Sequence, residues 1–147
     1  MVKPARVLIG LASLSVVLFT GHFIYLKNQI DSSEKLKSSN IESISIKEKE
    51  KLGLQNTPIR IEFFDKSKHI SRGTSYSSLD NSLTNFLVVL DKGQEKRGVL
   101  KHELYHVKKH CLKIQYQNPN TISSKLNEFV DEYCANVYSV HGIQLQK

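Results

Sequence analysis

His102, Glu103 and His106 are the residues whose types and spacing could do chemistry. They stand in the run His102-Glu103-Leu104-Tyr105-His106, an H-E-x-x-H pattern. On a helix, side chains four apart lie one above the other on the same face. Two imidazoles so placed can each give a ring nitrogen to one Zn²⁺, and the Glu between them can act as general base on an attacking water. The chemistry in prospect is zinc-dependent hydrolysis, most naturally of a peptide bond. The plainer alternative is a solvated helix whose histidines have no task.

The helix that must carry them is expected over about Gln94 to Leu112. At about 100° per residue, Leu100, Leu104, Val107 and Cys111 fall in one apolar stripe that can pack on a core. His102, Glu103, His106 and His110 fall in a second stripe beside it. Lys101, Tyr105, Lys108 and Lys109 take much of the remaining surface. The metal-binding types therefore sit at the shoulder of the buried ridge, where a cleft floor would be.

Two His do not complete a catalytic zinc site, which usually has three protein ligands, the third often Glu. A second helix is expected to begin near Thr121 to Ser124, where hydroxyls can cap it, and to stop at Gly142 after His141. Leu126, Phe129, Val130, Tyr133, Val137 and Val140 give it an apolar stripe. Glu132 lies about 110° from the centre of that stripe and Glu128 about 150°. Glu132 is favoured over Glu128 on this geometry, with Asn136 one turn on and Ala135 small enough for close helix approach. Asp131 points to the other flank. Both glutamates as ordinary surface carboxylates is the plain alternative.

A tetrahedral oxyanion needs a stabiliser besides zinc. Tyr105, Tyr133, Tyr138, His110 and His141 are candidates, each as readily explained by packing or capping. Lys92, Lys96, Arg97, Lys101, Lys108, Lys109 and Lys113 outnumber Glu95 and Glu103 around the first helix. Such a basic rim could attract acidic peptides or anionic headgroups, although a solvated face explains it more simply.

The run His102-Glu103-Leu104-Tyr105-His106, followed by Glu132-Tyr133-Cys134-Ala135-Asn136, resembles the gluzincin zinc peptidases. The His110 position and the apolar N-terminal segment resemble the HtpX and CAAX-prenyl-protease group. The short spacing between the motifs, and Asn136 in place of Asp, are closer to the ImmA/IrrE type. The resemblance covers roughly Leu83 to Tyr138. It implies zinc ligands at His102, His106 and Glu132, a catalytic base at Glu103, and an edge strand at Leu83–Leu90 that holds an extended substrate by main-chain pairing. The multiple spans of HtpX and the DNA-binding or sensor domains often joined to the ImmA/IrrE type are not seen in this sequence.

The rest of the chain sets the frame. There are 147 residues with a formal net charge of +7, enough for one modest domain. From about Ala5 to Leu26 the chain is apolar, long enough to cross a bilayer as a helix. A cleaved signal is the alternative, but no A-x-A-like site closes the run, so an uncleaved anchor is preferred. Lys3 and Arg6 weakly favour a cytoplasmic N-terminus and a domain outside the cytoplasm. Cys111 and Cys134 could form one bridge there, or both could be plain core residues. From Lys27 to Lys51, serine pairs and the run Lys47-Glu48-Lys49-Glu50-Lys51 read as a tether. Ile59–Phe63 alternates as a half-buried strand, Ile70 to Ser77 is a weaker strand-like run, and Leu83 to Leu90 is strongly apolar. Gln115 to Asn120 is expected as a loop.

The sum is an α+β chain. Residues 1–27 are a transmembrane anchor and 28–52 a polar tether. Residues 53–147 form a minimal zincin-like domain with a small sheet, an active-site helix and a glutamate helix. The expected function is membrane-anchored zinc metallopeptidase, acting on a peptide or protein at the bilayer. A non-catalytic anchored zinc-site module, and a protein with a chance motif, are the rivals. Nucleic-acid binding has no supporting motif.

Overall fold

The computed structural model describes residues 4–65, 75–78, 85–91, 93–111 and 122–145, without the side chains of 4–14, 75–78, His110 and 122–124. It is α+β. The described residues form four helices, α1 (Pro4–Asp31), α2 (Ile41–Leu52), α3 (Arg97–Cys111) and α4 (Ile122–His141), and strands β1 (Ile59–Phe63), β2 (Ser75–Ser78) and β3 (Phe86–Leu90), the sheet packing on α3. The expected loop at 115–120 and the capping Thr121 lie outside the described residues.

The sheet order is β1-β3-β2, with β3 parallel to β1 and antiparallel to β2. β3 is the apolar strand, and Phe86, Val88, Val89 and Leu90 are all buried. Strong apolarity suits a strand paired on both edges and packed on α3. The expectation of a substrate-holding edge at Leu83–Leu90 is therefore corrected: β3 is the central strand, and the outer strands are β1 and β2.

α3 lies at the centre of the molecule, touching β2, β3 and all three other helices. Leu100, Leu104 and Val107 are fully or almost fully buried; each Leu contributes about 1.5–3 kcal/mol of apolar burial. The sides expected to face solvent are buried too. Tyr105 is enclosed and stacks on Tyr138 at 5.7 Å between ring centres. Lys109 is buried, 3.8 Å from Asp131. Lys101 turns inward, donates to the Ser139 carbonyl at 2.5 Å, and sits over the Tyr138 ring. The reason is neighbours on several sides, which a single-helix periodicity cannot register.

The stretch 28–52, expected as a tether, is folded against this helix. Leu36, Ile44 and Leu52 join the core. Residues 33–36 bond to the start of α3: the Arg97 N–H donates to the Glu34 carbonyl, the Gly98 N–H to Ser33 Oγ, and the Leu36 N–H to the Glu95 carbonyl. These links satisfy backbone donors that a helix start leaves without partners. A Cβ at Gly98 would stand 3.0 Å from Ile30 Cα, so only glycine admits this approach of α1 to α3. The expected stop of α4 holds: Gly142 has φ 71° and its N–H donates to Tyr138 O.

The C-terminal half of α1 is docked. Leu26 and Ile30 are buried, and Phe19 and Phe23 stack against Phe129 of α4. Among the described residues no helix is long and apolar enough to cross a membrane; the first half of the expected span, through residue 14, falls outside the described side chains.

Candidate metal centre

α3 brings His102 and His106 one turn apart with their rings 4.6 Å apart and at 73° to each other. Both Nε2 atoms point to the same side, 3.0 Å from one another. α4 supplies Glu132. Its Oε1 is 3.1 Å from His106 Nε2 and its Oε2 is 3.4 Å from His102 Nε2. Four-coordinate zinc with bonds of about 2.0–2.1 Å sets neighbouring ligand atoms roughly 3.3 Å apart. The separations, which run to both carboxylate oxygens, are close to that edge length, and one ligand atom from each residue lies within 4.8 Å of the others, so the residues present fit a metal ion. Ala135, fully buried beside Glu132, leaves the room α4 needs against α3.

Glu128, the other candidate on α4, is exposed and takes no part in the cluster. The three converging residues are the two histidines and the glutamate favoured from helical angles alone.

The electrostatics follow from the packing. Hydrogen bonds from His102 and His106 hold the Glu132 carboxyl well below the usual carboxylate range, against an opposing effect of burial. Burial pulls the His106 imidazole down, but the bond to Glu132 and the charges of Glu132, Glu103 and Asp131 outweigh it and raise it overall. Glu103 is only 8% exposed. Burial pushes its carboxyl up, opposed by the neighbouring imidazoles and reinforced by Glu132.

Beside the cluster is a cleft of about 280 Å³. It is lined by His102 and Val99 of α3, Glu132 and Asn136 of α4, Lys27, Ile30 and Asp31 from the end of α1, and Gln94. Asn136 is 2% exposed, and its side-chain amide nitrogen has no hydrogen-bond partner. A buried amide donor without a partner is uncommon and costs about 1–3 kcal/mol unless something in the cleft accepts from it. The α1 residues and Gln94 carry no motif, and no signal in the sequence could have placed them at the cleft.

None of the tyrosines considered as oxyanion stabilisers lines the cleft. Tyr105 faces the Cys134 thiol inside the core. Tyr138 donates to Glu48 Oε2 at 3.4 Å. Tyr133 OH is 2.9 Å from His22 Nδ1 on α1. His141 is exposed at the end of α4, and the side chain of His110 lies outside the described residues. The described cations of the basic rim have partners within the chain. Arg97 pairs with Glu48 and Glu34, Lys96 with Asp31 and Lys109 with Asp131, while Lys101 turns inward and Lys108 bonds to Gln144. Lys92 and Lys113 lie outside the described residues. Cys111 and Cys134 are free thiols, so the bridge considered between them is not made.

No family model, curated protein or solved structure matches this chain.

Proposed function

We propose that the protein is a membrane-anchored zinc metallopeptidase of minimal zincin-like build, with His102, His106 and Glu132 as metal ligands and Glu103 as general base. The observation that carries this reading is the convergence of two imidazole nitrogens and the Glu132 carboxylate, its two oxygens 3.1 and 3.4 Å from the one ring and the other, beside an open cleft. Two imidazoles and one carboxylate are a donor set that suits zinc. Bound there, zinc would lower the pKa of a water toward ~7 and polarise a scissile carbonyl. Glu103 takes the proton of the attacking water and delivers it to the leaving amine; a carboxyl raised by burial is better matched to that exchange near neutral pH. Asn136 lines the cleft, with an unpartnered amide nitrogen that is itself buried. β2, an outer strand that packs on α3, is the strand suited to pair with an extended peptide. The apolar run 5–26 supports a single-pass anchor, with the domain outside the cytoplasm.

A second reading, an anchored zinc-site module that binds a partner without cleaving it, has one observation in its favour: Glu103 is buried and does not line the cleft. The two readings part on one experiment. Zinc is measured per chain on freshly purified full-length protein, and peptide hydrolysis is compared between wild type and Glu103→Gln. The peptidase reading expects one zinc in each and a loss of roughly 10²–10⁴-fold in turnover. Zinc in both with no hydrolysis in either assigns the binding module; no zinc in the wild type removes both.

A further inference from the structure

The first half of α4 does not pack as its sequence suggests. Leu126, Phe129 and Val130, spaced to share one face, are 60%, 47% and 37% exposed. Only the second half, from Cys134, is buried. Next to this face runs α1. Val16, Val17 and Leu18 are 64–66% exposed although they are consecutive. Steps of about 100° carry three consecutive residues around most of a helix, so α1 is apolar and uncovered on nearly every side there. Phe19 and Phe23 bind the two surfaces together through Phe129, at 5.4 and 6.2 Å between ring centres. The apolar run continues upstream in the sequence to Val7.

What could cover such a surface is constrained by its shape. A second copy of the chain presents one face and would cover one side of α1. A solvent made of hydrocarbon surrounds a helix on all sides, which is what a helix apolar all round requires. Lys125, Asn127 and Glu128 are exposed polar side chains around that apolar face, as in helices that lie at a bilayer interface. Lys27 extends over Phe23 at the other end of the patch and supplies a cation at the level of the headgroups. We propose that the first half of α4 lies in the surface of a phospholipid bilayer alongside α1, so that the His102–His106–Glu132 cleft opens at the headgroup layer. Phe129 precedes Glu132 by three residues, about 4.5 Å along the helix, so the cleft stands close to the apolar face. A peptide reaching the cleft comes along the membrane surface. This deepens the anchored-peptidase reading and rests on its anchor.

The chain has no tryptophan, so single Leu126→Trp and Val130→Trp substitutions each give a unique fluorophore at an already exposed position. The full chain is reconstituted in phosphatidylcholine–phosphatidylglycerol vesicles with brominated acyl chains. Both variants are expected to emit at shorter wavelength and to be quenched roughly twofold or more by the bromolipid, in keeping with shallow insertion. Ile46→Trp, on the exposed side of α2, is expected to stay unquenched and accessible to aqueous iodide. Water-like emission and full iodide access at both α4 positions would overturn the proposal, as would a dimer whose interface shields them from lipid and iodide alike. Zinc is counted on the same samples. Bound zinc with water-exposed fluorophores sinks this inference alone; lipid-quenched fluorophores without zinc leave it standing and remove the peptidase.

Discussion

Two carboxylates from different helices are brought against α3, and they meet different fates. Glu48 of α2 is completely buried. Its Oε1 accepts from Arg97 at 2.8 Å and from Lys51 at 3.2 Å, and its Oε2 from Tyr138 at 3.4 Å. Burial alone would raise its carboxyl, but the bonds from Arg97 and Lys51 outweigh that and lower it overall. Every partner is a fixed donor, and the protein itself supplies the countercharge. Glu132 of α4 is nearly half exposed, and its partners are two imidazoles, which are neutral ligands once they lose a proton. At Glu48 the charge balance is complete within the chain, and the site is closed. At Glu132 two imidazoles and a carboxylate face one another beside a cleft, an arrangement that could hold a metal ion. A buried carboxylate matched by guanidinium and ammonium holds a fold; one matched by imidazoles at an opening is fit to bind.

The sharpest test of that contrast removes one partner from each cluster. His106→Ala should abolish stoichiometric zinc and take hydrolysis to background, while the metal-free forms of variant and wild type melt within a few degrees of each other. Equal zinc in the variant would break the comparison. Glu48→Ala should do the reverse: a loss of about 2–4 kcal/mol in urea unfolding, because Arg97 is left facing an uncompensated cavity though it reaches some solvent, with zinc still bound to whatever fraction stays folded. Next in size is Gly98→Ala. The added methyl meets backbone of Ile30, which cannot swing aside. A cost of about 1–3 kcal/mol is expected, typical of overpacking. Because α1 forms one wall of the cleft, KM should rise more than zinc affinity falls.

The smallest effect is on pH. The Glu48 carboxyl lies below 4.5 in the fold, so its contribution is present above the ordinary carboxylate range and is lost as pH falls through the lowered value. The gap in urea midpoint between wild type and Glu48→Gln should therefore be widest near neutrality and should close below about pH 4. A gap that stays constant into acid would mean that the carboxylate's charge does not matter to the fold.

Much of the candidate site is legible in the sequence because it is local. His102 and His106 share a face through helical geometry alone, and the angle from an apolar stripe separates Glu132 from Glu128. The same logic failed where burial depends on neighbours. Tyr105 and Lys109 fall outside the apolar stripe of α3, yet α3 has contacts on several sides and both are buried. The charge run 47–51 has the composition of a solvated surface, but Glu48 meets Arg97 across forty-nine positions and is drawn inside. Leu126, Phe129 and Val130 continue a stripe that the core covers only from Cys134 onward.

The sequence by itself determined the periodic features: which residues stack along a helix turn, where the strands alternate, and where Gly142 ends the last helix. Those depend on backbone geometry repeated every few residues, and the chain carries that information locally. Only the tertiary structure decided that β3 is central, that 33–36 cap α3, and that Lys27, Asp31 and Gln94 wall the cleft. It alone set Glu48 inside and half of α4 outside. These are outcomes of which surfaces meet, and a meeting of surfaces is set by the packing of all elements at once, not by the period of any one of them.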